Sequence, residues 1–87
     1  MFVQGMVRIT VQLVGPVADL IGYETIEYGL AQKTQLAGLI TMMYAKYPRL
    51  AEESAALRVE LNGQTVDMHT ELVEGDNVAI ILPVEAG

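Results

Sequence analysis

Residues 77–84 have the sequence NVAIILPV, an apolar run that predicts a β-strand. Its apolar side chains alternate between Val78, Ile80 and Leu82 on one face and Ala79 and Ile81 on the other. A strand that is apolar on both faces is typical of a central, parallel strand, or of one that faces a partner. Because proline cannot donate a hydrogen bond to a neighbouring strand, the strand is predicted to end at Leu82, before Pro83.

Two runs near the N-terminus also have the alternation of half-buried strands. Residues 7–14, VRITVQLV, place four apolar side chains on one face and polar ones on the other. Residues 24–30, ETIEYGL, alternate in the same way. The connection between them, GPVADLIG at 15–22, contains glycine and proline and room for one helical turn at 17–21. The pair is spaced like an antiparallel hairpin with a long loop.

After Thr34, the apolar residues recur at the spacing of an α-helix rather than that of a strand. Its apolar stripe consists of Leu36, Leu39, Ile40, Met43 and Tyr47. Thr34 is the predicted N-cap, and Lys46 lies in the last turn, where a cation suits the helix dipole. Pro48 is predicted to end the helix. Met42 and Met43 are both interpreted as core-filling side chains.

The segment between the helix and the last strand is predicted to contain a second hairpin. Residues 49–56, RLAEESAA, suggest a loop with a short turn. Residues 57–66, LRVELNGQTV, alternate around Asn62-Gly63, a pair that supplies the positive φ values of a tight turn. Residues 67–76 are then a connection that closes at Gly75-Asp76.

The order strand, strand, helix, hairpin, strand predicts an α+β fold of the β-grasp, or ubiquitin-like, type. Its sheet is mixed, with the last strand parallel to the first and one main helix packed on one face. We expect residues 1–87 to form a single domain, because a chain of this length has no room for a second core. Residues 1–5 are expected to be a frayed N-terminal extension and residues 83–87 a flexible C-terminal tail.

Ala79 and Ile81 would lie on the face that the helix leaves uncovered. One interpretation is that they pack under loops or beside Thr10 and Gln12. The other is that they form an apolar docking patch for another protein.

Composition and charge exclude several classes of function. The chain has no cysteine and a net charge of −6, and its five basic residues are scattered. It therefore lacks the basic stripe that binds nucleic acid, and an acidic surface favours a basic protein partner. No apolar run is long enough to span a membrane, and the N-terminus does not have the form of a secretory signal. A cytoplasmic location is expected.

The sequence predicts no catalysis by this chain alone. His69 has no serine or cysteine nucleophile near it in the sequence. Glu71, Glu74 and Asp76 flank a turn but lack the dense oxygen spacing of a calcium loop, so no metal site is expected. The two glycine-rich nucleotide-binding motifs, GxGxxG and GxxxxGK followed by serine or threonine, are both absent from the sequence.

The last four residues, VEAG at 84–87, allow two interpretations. Most chain ends fray without a function. A tail that becomes thinner from Val84 to Gly87 can instead enter a narrow channel in another enzyme, since a glycine end has no side chain to block it.

Residues 70–87, TELVEGDNVAIILPVEAG, resemble the C-terminal segment of the MoaD/ThiS family of ubiquitin-like sulfur carriers. That family has a turn of the form L-x-(D/E)-G-D-x-V, a last strand, a proline and a Gly-Gly end. The matching residues are Leu72, Glu74, Gly75, Asp76, Val78, Pro83 and Gly87. The resemblance extends upstream to Met6, and the length is most like the MoaD branch, the small subunit of molybdopterin synthase. The penultimate glycine of the family is Ala86 here.

The resemblance implies a sulfur carrier that uses its own C-terminal carboxylate. A MoeB/ThiF-like adenylyltransferase, which uses ATP and magnesium, would adenylate Gly87, and a persulfide donor would convert it to a thiocarboxylate. A MoaE-like large synthase subunit would then receive the tail and the sulfur for molybdopterin. Val84, Glu85 and Ala86 would be the tether, and Ala79, Ile81 and Val84 would dock partners. The chain itself would bind no cofactor.

Two alternatives remain at the level of sequence. The chain could be a ubiquitin-like protein modifier that is joined through Gly87 to a lysine amine. It could also be a binding module of the same fold whose tail is inert, an alternative that Ala86 favours because alanine makes positive φ costly.

Overall fold

The computed structural model describes residues 5–83, and residues 1–4 and 84–87 lie outside the described part of the chain. The strands are β1 (Met6–Val14), β2 (Thr25–Ala31), β3 (Arg58–Leu61) and β4 (Asn77–Ile81). The helices are α1 (Pro16–Ile21), α2 (Leu36–Lys46) and α3 (Pro48–Glu52), followed by a 3₁₀ turn at Ser54–Ala56. The frayed N-terminal extension and the flexible tail, both predicted from the sequence, fall mainly on residues outside this range and stay predictions.

The four strands form one mixed sheet in the order β2-β1-β4-β3. β1 is antiparallel to β2 and parallel to β4, while β3 is antiparallel to β4. The predicted placement of the last strand beside the first, in parallel, is therefore confirmed. The α+β, β-grasp fold and the single main helix are confirmed as well.

The core lies between the sheet and the helices. β1 buries Val7, Ile9, Val11 and Leu13; β4 buries Val78 and Ile80; and α2 buries Leu36, Leu39, Ile40 and Met43. These side chains belong to one cluster that also includes Leu50 of α3 and Leu72 of the loop before β4. The periods read from the sequence therefore gave the correct buried faces of β1, α2 and β4. One methionine was misplaced, because Met42 is 38% exposed rather than part of the core.

The start of α2 differs from the prediction. Gln35, not Thr34, is the N-cap, and no side chain caps the helix. The Thr34 hydroxyl instead donates to the Ala31 carbonyl at 2.7 Å, closing the turn that follows β2. The first free amides of α2, those of Leu36 and Ala37, donate to carbonyls of the 68–70 loop at 2.9 and 2.8 Å. A distant loop thus provides the capping groups that a local side chain usually provides.

Two segments between α2 and β4 were predicted incorrectly. Pro48 ends α2 but also begins α3, so residues 49–56 are mostly helical rather than a loop. The Asn62-Gly63 turn forms as expected, with φ of 52° and 85°. The second arm of its hairpin does not form, however, because Gln64 makes a single bridge to Leu61 and the chain then leaves the sheet. β3 pairs instead with β4.

Candidate functional site

The candidate site is the point where the chain leaves β4. The Leu82 amide donates to the Val14 carbonyl at 3.1 Å, extending the parallel ladder one residue past β4. Pro83 follows, is exposed, and has no N–H to donate. The prediction that sheet pairing stops at Leu82 is therefore confirmed. The tail lies outside the described residues: Gly87, to which the family resemblance assigns the chemistry, and the tether residues Val84, Glu85 and Ala86.

Gly15 lies against this exit. It connects β1 to α1 with φ 83° and ψ −156°, a backbone conformation available almost only to glycine. A Cβ placed on Gly15 would lie 2.5 Å from the Leu82 carbonyl oxygen. The sequence marked Gly15 only as part of a glycine- and proline-containing connection, and no local pattern could have revealed the contact with Leu82.

An open groove runs alongside the exit. It has a volume of about 460 Å³ and is lined by the end of β1, by Gly15, by α1 and by the start of β2. Asp19 and Glu24 contribute carboxylates to its wall, and both residues are exposed. A protein that binds the tail at Pro83 would thus also contact a groove with acidic walls.

The opposite end of β4 is fixed by Asp76, a carboxylate that is only 7% exposed. One of its oxygens accepts from the Val73 amide at 2.8 Å, and the other accepts from the Asn62 side-chain amide at 3.0 Å. Gly75, with φ 87°, donates its amide to the Arg8 carbonyl at 2.9 Å. The glycine and aspartate of the L-x-E-G-D-x-V pattern are therefore the residues that shape this turn and tie it to β1 and β3.

Asn62 is a second anchor that the sequence did not reveal as one. The Asn62 side-chain oxygen accepts a hydrogen bond from the Asn77 backbone amide at 2.9 Å, and the Asn62 backbone amide donates to the Asn77 carbonyl at 2.7 Å. From the sequence, Asn62 is expected only to supply a positive φ in a turn. Together with Asp76 it aligns the start of β4, and so contributes to the position of the strand that leads to the tail.

Ala79 and Ile81, the predicted docking residues, lie on the uncovered face and are half-buried. In the register of the sheet, Ala79 lies between Gln12 and Glu60, and Ile81 lies between Val14 and Arg58. The expected neighbour Gln12 is thus present for Ala79, whereas Ile81 adjoins Val14, which is 44% exposed. Docking through these residues and Val84 stays a prediction.

The family comparison covers most of this architecture. The model of the ThiS family matches residues 11–87, which include the end of β1, all of α2, the turn at Asp76 and β4. The chain belongs to the ThiS family. The predicted membership in this group of ubiquitin-like sulfur carriers is confirmed.

Solved structures agree with this ThiS-family fold. A protein assigned as molybdopterin converting factor subunit 1 of Pyrococcus furiosus is 24% identical, with a TM-score of 0.81 over 90% of this chain and 99% of the other. SAMP1 of Haloferax volcanii is 19% identical, with a TM-score of 0.77 over 92% and 99%. A complex of subunits 1 and 2 of the molybdopterin-converting factor of Helicobacter pylori matches at 23% identity, with a TM-score of 0.66 over 92% and 99%. No curated protein matches the chain at a significant level.

Groups elsewhere in this ThiS-family chain do not form a catalytic cluster within residues 5–83. The exposed His69 ring contacts the Gln35 side-chain oxygen through Nδ1 at 3.1 Å, and the His69 amide donates to Asp67. No group of three or more histidine or carboxylate side chains in the described range could hold a metal ion. Across the same residues, no helix is both long and apolar enough to cross a membrane.

The two tyrosines with shifted pKa values also lie away from the point where the chain leaves β4. Burial raises the pKa of Tyr28 in β2, and the nearby Tyr47 hydroxyl raises it further, although the two hydroxyls do not meet hydrogen-bond geometry. Burial likewise raises the pKa of Tyr44 in α2. Both phenols are partly buried against the core, so the shifts reflect packing and indicate no catalytic group.

Proposed function

We propose that this chain is a sulfur carrier whose C-terminal Gly87 carboxylate is adenylated and converted to a thiocarboxylate by partner enzymes. One observation carries the proposal: the ThiS-family match runs through Gly87, at the end of the segment that follows the last sheet hydrogen bond, the one from Leu82 to Val14. The folded body would hold the tail and present it, while the chemistry would occur in the active sites of other proteins. This activity would take place in the cytoplasm.

Activation is needed because a carboxylate is a poor electrophile. Its negative charge is delocalised, and oxide is a poor leaving group. A MoeB/ThiF-like adenylyltransferase would use ATP and magnesium to join the Gly87 carboxylate to AMP, releasing pyrophosphate. The resulting mixed anhydride carries AMP as a good leaving group.

Sulfur would enter by displacement of AMP. The terminal sulfur of a persulfide attacks the Gly87 carbonyl carbon, a C–S bond forms and AMP leaves with the electron pair. A second thiol then cleaves the remaining S–S bond, which oxidises the two donor sulfurs to a disulfide and leaves the thiocarboxylate on Gly87. The ionised sulfur of that group is the nucleophile for the next transfer.

We propose molybdopterin synthesis as the pathway, with a MoaE-like large subunit as the acceptor of the tail. The support is the structural likeness to subunit 1 in the Helicobacter pylori complex of subunits 1 and 2. Ala79, Ile81 and Val84 would form the docking surface, with Glu85 and Ala86 as the tether. The apolar, half-buried positions of Ala79 and Ile81 on the uncovered face suit this role.

Intact mass spectrometry tests the proposal. The purified chain is incubated with a ThiF-like adenylyltransferase, ATP, magnesium and a sulfide source. We expect a mass increase equal to the exchange of one oxygen for one sulfur. A chain lacking Gly87 is the control and should not change in mass. An unchanged wild-type mass, with an adenylyltransferase that is active on its own carrier, would contradict the proposal and favour an inert binding module.

A second candidate is a protein modifier joined through Gly87 to lysine amines. The observation that favours it is the TM-score of 0.77 to SAMP1, a small archaeal modifier protein. Both candidates use the same adenylate and differ only in the nucleophile that attacks it. Ladders of higher mass on other proteins, lost when Gly87 is deleted, would favour the modifier.

A further inference from the structure

We propose that Gly15 is a positioning residue that sets the direction in which the tail leaves the sheet. The proposal rests on the proposed function, because direction matters only if a partner enzyme must receive the Gly87 carboxylate. It assigns a role to a residue in the β1–α1 connection, 67 positions before Leu82 in the sequence and in direct contact with it.

The contact is built by two hydrogen bonds on either side of Gly15. Before it, the Val14 carbonyl accepts from the Leu82 amide at 3.1 Å, which holds the start of the tail against the end of β1. After it, the Gly15 carbonyl accepts from the Ala18 amide at 3.1 Å and begins α1. Gly15 is thus fixed between the last rung of the parallel ladder and the first turn of a helix.

The space beside Gly15 is limited by the Leu82 carbonyl group. A Cβ on residue 15 would lie 2.5 Å from the Leu82 carbonyl oxygen and 3.5 Å from the Leu82 carbonyl carbon. The oxygen is a backbone atom, so it yields by rotation of the peptide between Leu82 and Pro83 rather than by movement of a flexible side chain. The Leu82 side chain packs against the core and resists a shift of the whole residue.

Rotation of this peptide would redirect the tail. In an extended tail, about 13 Å of chain separates Pro83 from the Gly87 carboxylate, so a turn of ~15° at Pro83 displaces the carboxylate by about 3 Å. A misplacement of about 1 Å at a reacting group can already slow a reaction by about a hundredfold. Gly15 therefore sets the direction of the chain at Pro83, the point from which residues 84–87 depart.

A matched control separates this contact from the ordinary cost of positive φ. Gly63 has φ 85°, almost the same as the 83° of Gly15, but a Cβ on Gly63 would meet no atom within 4 Å. It lies two residues after Leu61, which pairs with Val78 near the start of β4, whereas Gly15 adjoins the end of β4. Gly15→Ala and Gly63→Ala thus both place a side chain at positive φ, and only Gly15→Ala also brings a Cβ against Leu82.

The experiment compares adenylation of the wild type, Gly15→Ala and Gly63→Ala by a ThiF-like adenylyltransferase, at a temperature where circular dichroism shows all three folded. We expect Gly15→Ala to lose more thermal stability than Gly63→Ala, because its Cβ also meets the Leu82 carbonyl oxygen. We expect Gly15→Ala to lower kcat at least tenfold with a smaller change in KM, and Gly63→Ala to retain the wild-type kcat. Equal kcat values for the two variants would overturn the assignment.

A second variant covers the case in which Gly15→Ala does not fold. D-alanine at position 15, introduced by chemical synthesis, accepts positive φ and places its methyl group on the other side of Cα, away from the Leu82 oxygen. Wild-type kcat in this variant supports the proposal, and a loss like that expected for Gly15→Ala overturns it.

Failure of the proposed function can be distinguished from failure of the role assigned to Gly15. If the wild type itself is not adenylated, the sulfur-carrier function fails, and the role of Gly15 is judged by NMR alone. We then expect the Leu82 amide and carbonyl resonances to shift in Gly15→Ala and to stay in place in Gly63→Ala. Unchanged Leu82 resonances in Gly15→Ala would overturn the assignment.

Discussion

Asp76 stabilises the turn before β4, because its carboxylate oxygens accept hydrogen bonds from the Val73 amide and the Asn62 side chain. Asp76→Ala would remove the acceptor of two part-buried hydrogen bonds. We expect a loss of about 1 to 3 kcal/mol in the free energy of unfolding, because a hydrogen bond to a charged group contributes about 1.5–3 kcal/mol and water can partly replace the carboxylate at the exposed residues Val73 and Asn62. Urea unfolding followed by circular dichroism would measure the loss.

Asp67→Ala is the matched control for this change. Asp67 also accepts a backbone amide, that of His69, but it is exposed, so water can replace the lost bond. We expect Asp67→Ala to cost less than about 1 kcal/mol. Equal losses for the two variants would show that the Asp76 hydrogen bonds do not stabilise the turn.

The sequence could predict part of this residue-scale arrangement. The pattern L-x-E-G-D-x-V indicated a turn at Gly75-Asp76, because glycine and aspartate favour turns locally. It could not indicate that Asp76 binds Asn62, 14 residues earlier, or that Gly15 lies against Leu82. Both contacts depend on the register of strands that are distant in the sequence.

At the scale of elements, α2 contains two adjacent methionines that face different surroundings. Met43 is fully buried, whereas Met42 is 38% exposed. We expect Met43→Ala to lower the free energy of unfolding by about 2–5 kcal/mol, because it opens a cavity in the core. Met42→Ala should change it by no more than about 0.5 kcal/mol, as is usual for surface substitutions.

Thermal and urea unfolding of the two variants would measure this difference. Because the substitution and the helix are the same, helix propensity cancels in the comparison and only burial differs. Losses of similar size would contradict the assignment of Met42 to the exposed face of α2.

The predicted elements were correct where periodicity extended over a long segment. β1 and α2 have repeated apolar spacing over 9 and 11 residues, which identified their buried faces. The errors fell on short segments. α3 has 5 residues and is followed by only one further turn of 3₁₀ helix, so no repeat was available to reveal it. The second arm of the 57–66 hairpin does not extend beyond the bridge between Gln64 and Leu61, and β3 remains the edge strand of the sheet.

At the scale of the whole molecule, one strand determined the topology. Because Ala79 and Ile81 made β4 apolar on both faces, the sequence predicted a central strand, and β4 does lie between β1 and β3. The direction of the tail was not predictable, because it depends on how the β1–α1 connection meets the end of β4. The sequence therefore identified which residues carry the proposed chemistry but not what aligns them.

The net charge of −6 gives a prediction about association with partners, which rests on the proposed function. Association with a basic adenylyltransferase surface should be faster at low ionic strength, because opposite charges steer the encounter and salt screens them. The acidic groove beside the exit should contribute more than acids elsewhere. We expect Asp19→Asn with Glu24→Gln to raise KM about three- to tenfold and to weaken its salt dependence, with little change in kcat.

Asp67→Asn with Glu71→Gln is the matched control for charge. Each double variant removes two negative charges, so both change the net charge from −6 to −4. Asp67 and Glu71 are exposed in the loop that leads to the start of β4, whereas the groove lies at its end. KM measured at several salt concentrations would separate the two cases. A similar rise in both variants would mean that overall charge steers the encounter, whereas a rise confined to the groove variant would place the basic partner beside the tail exit.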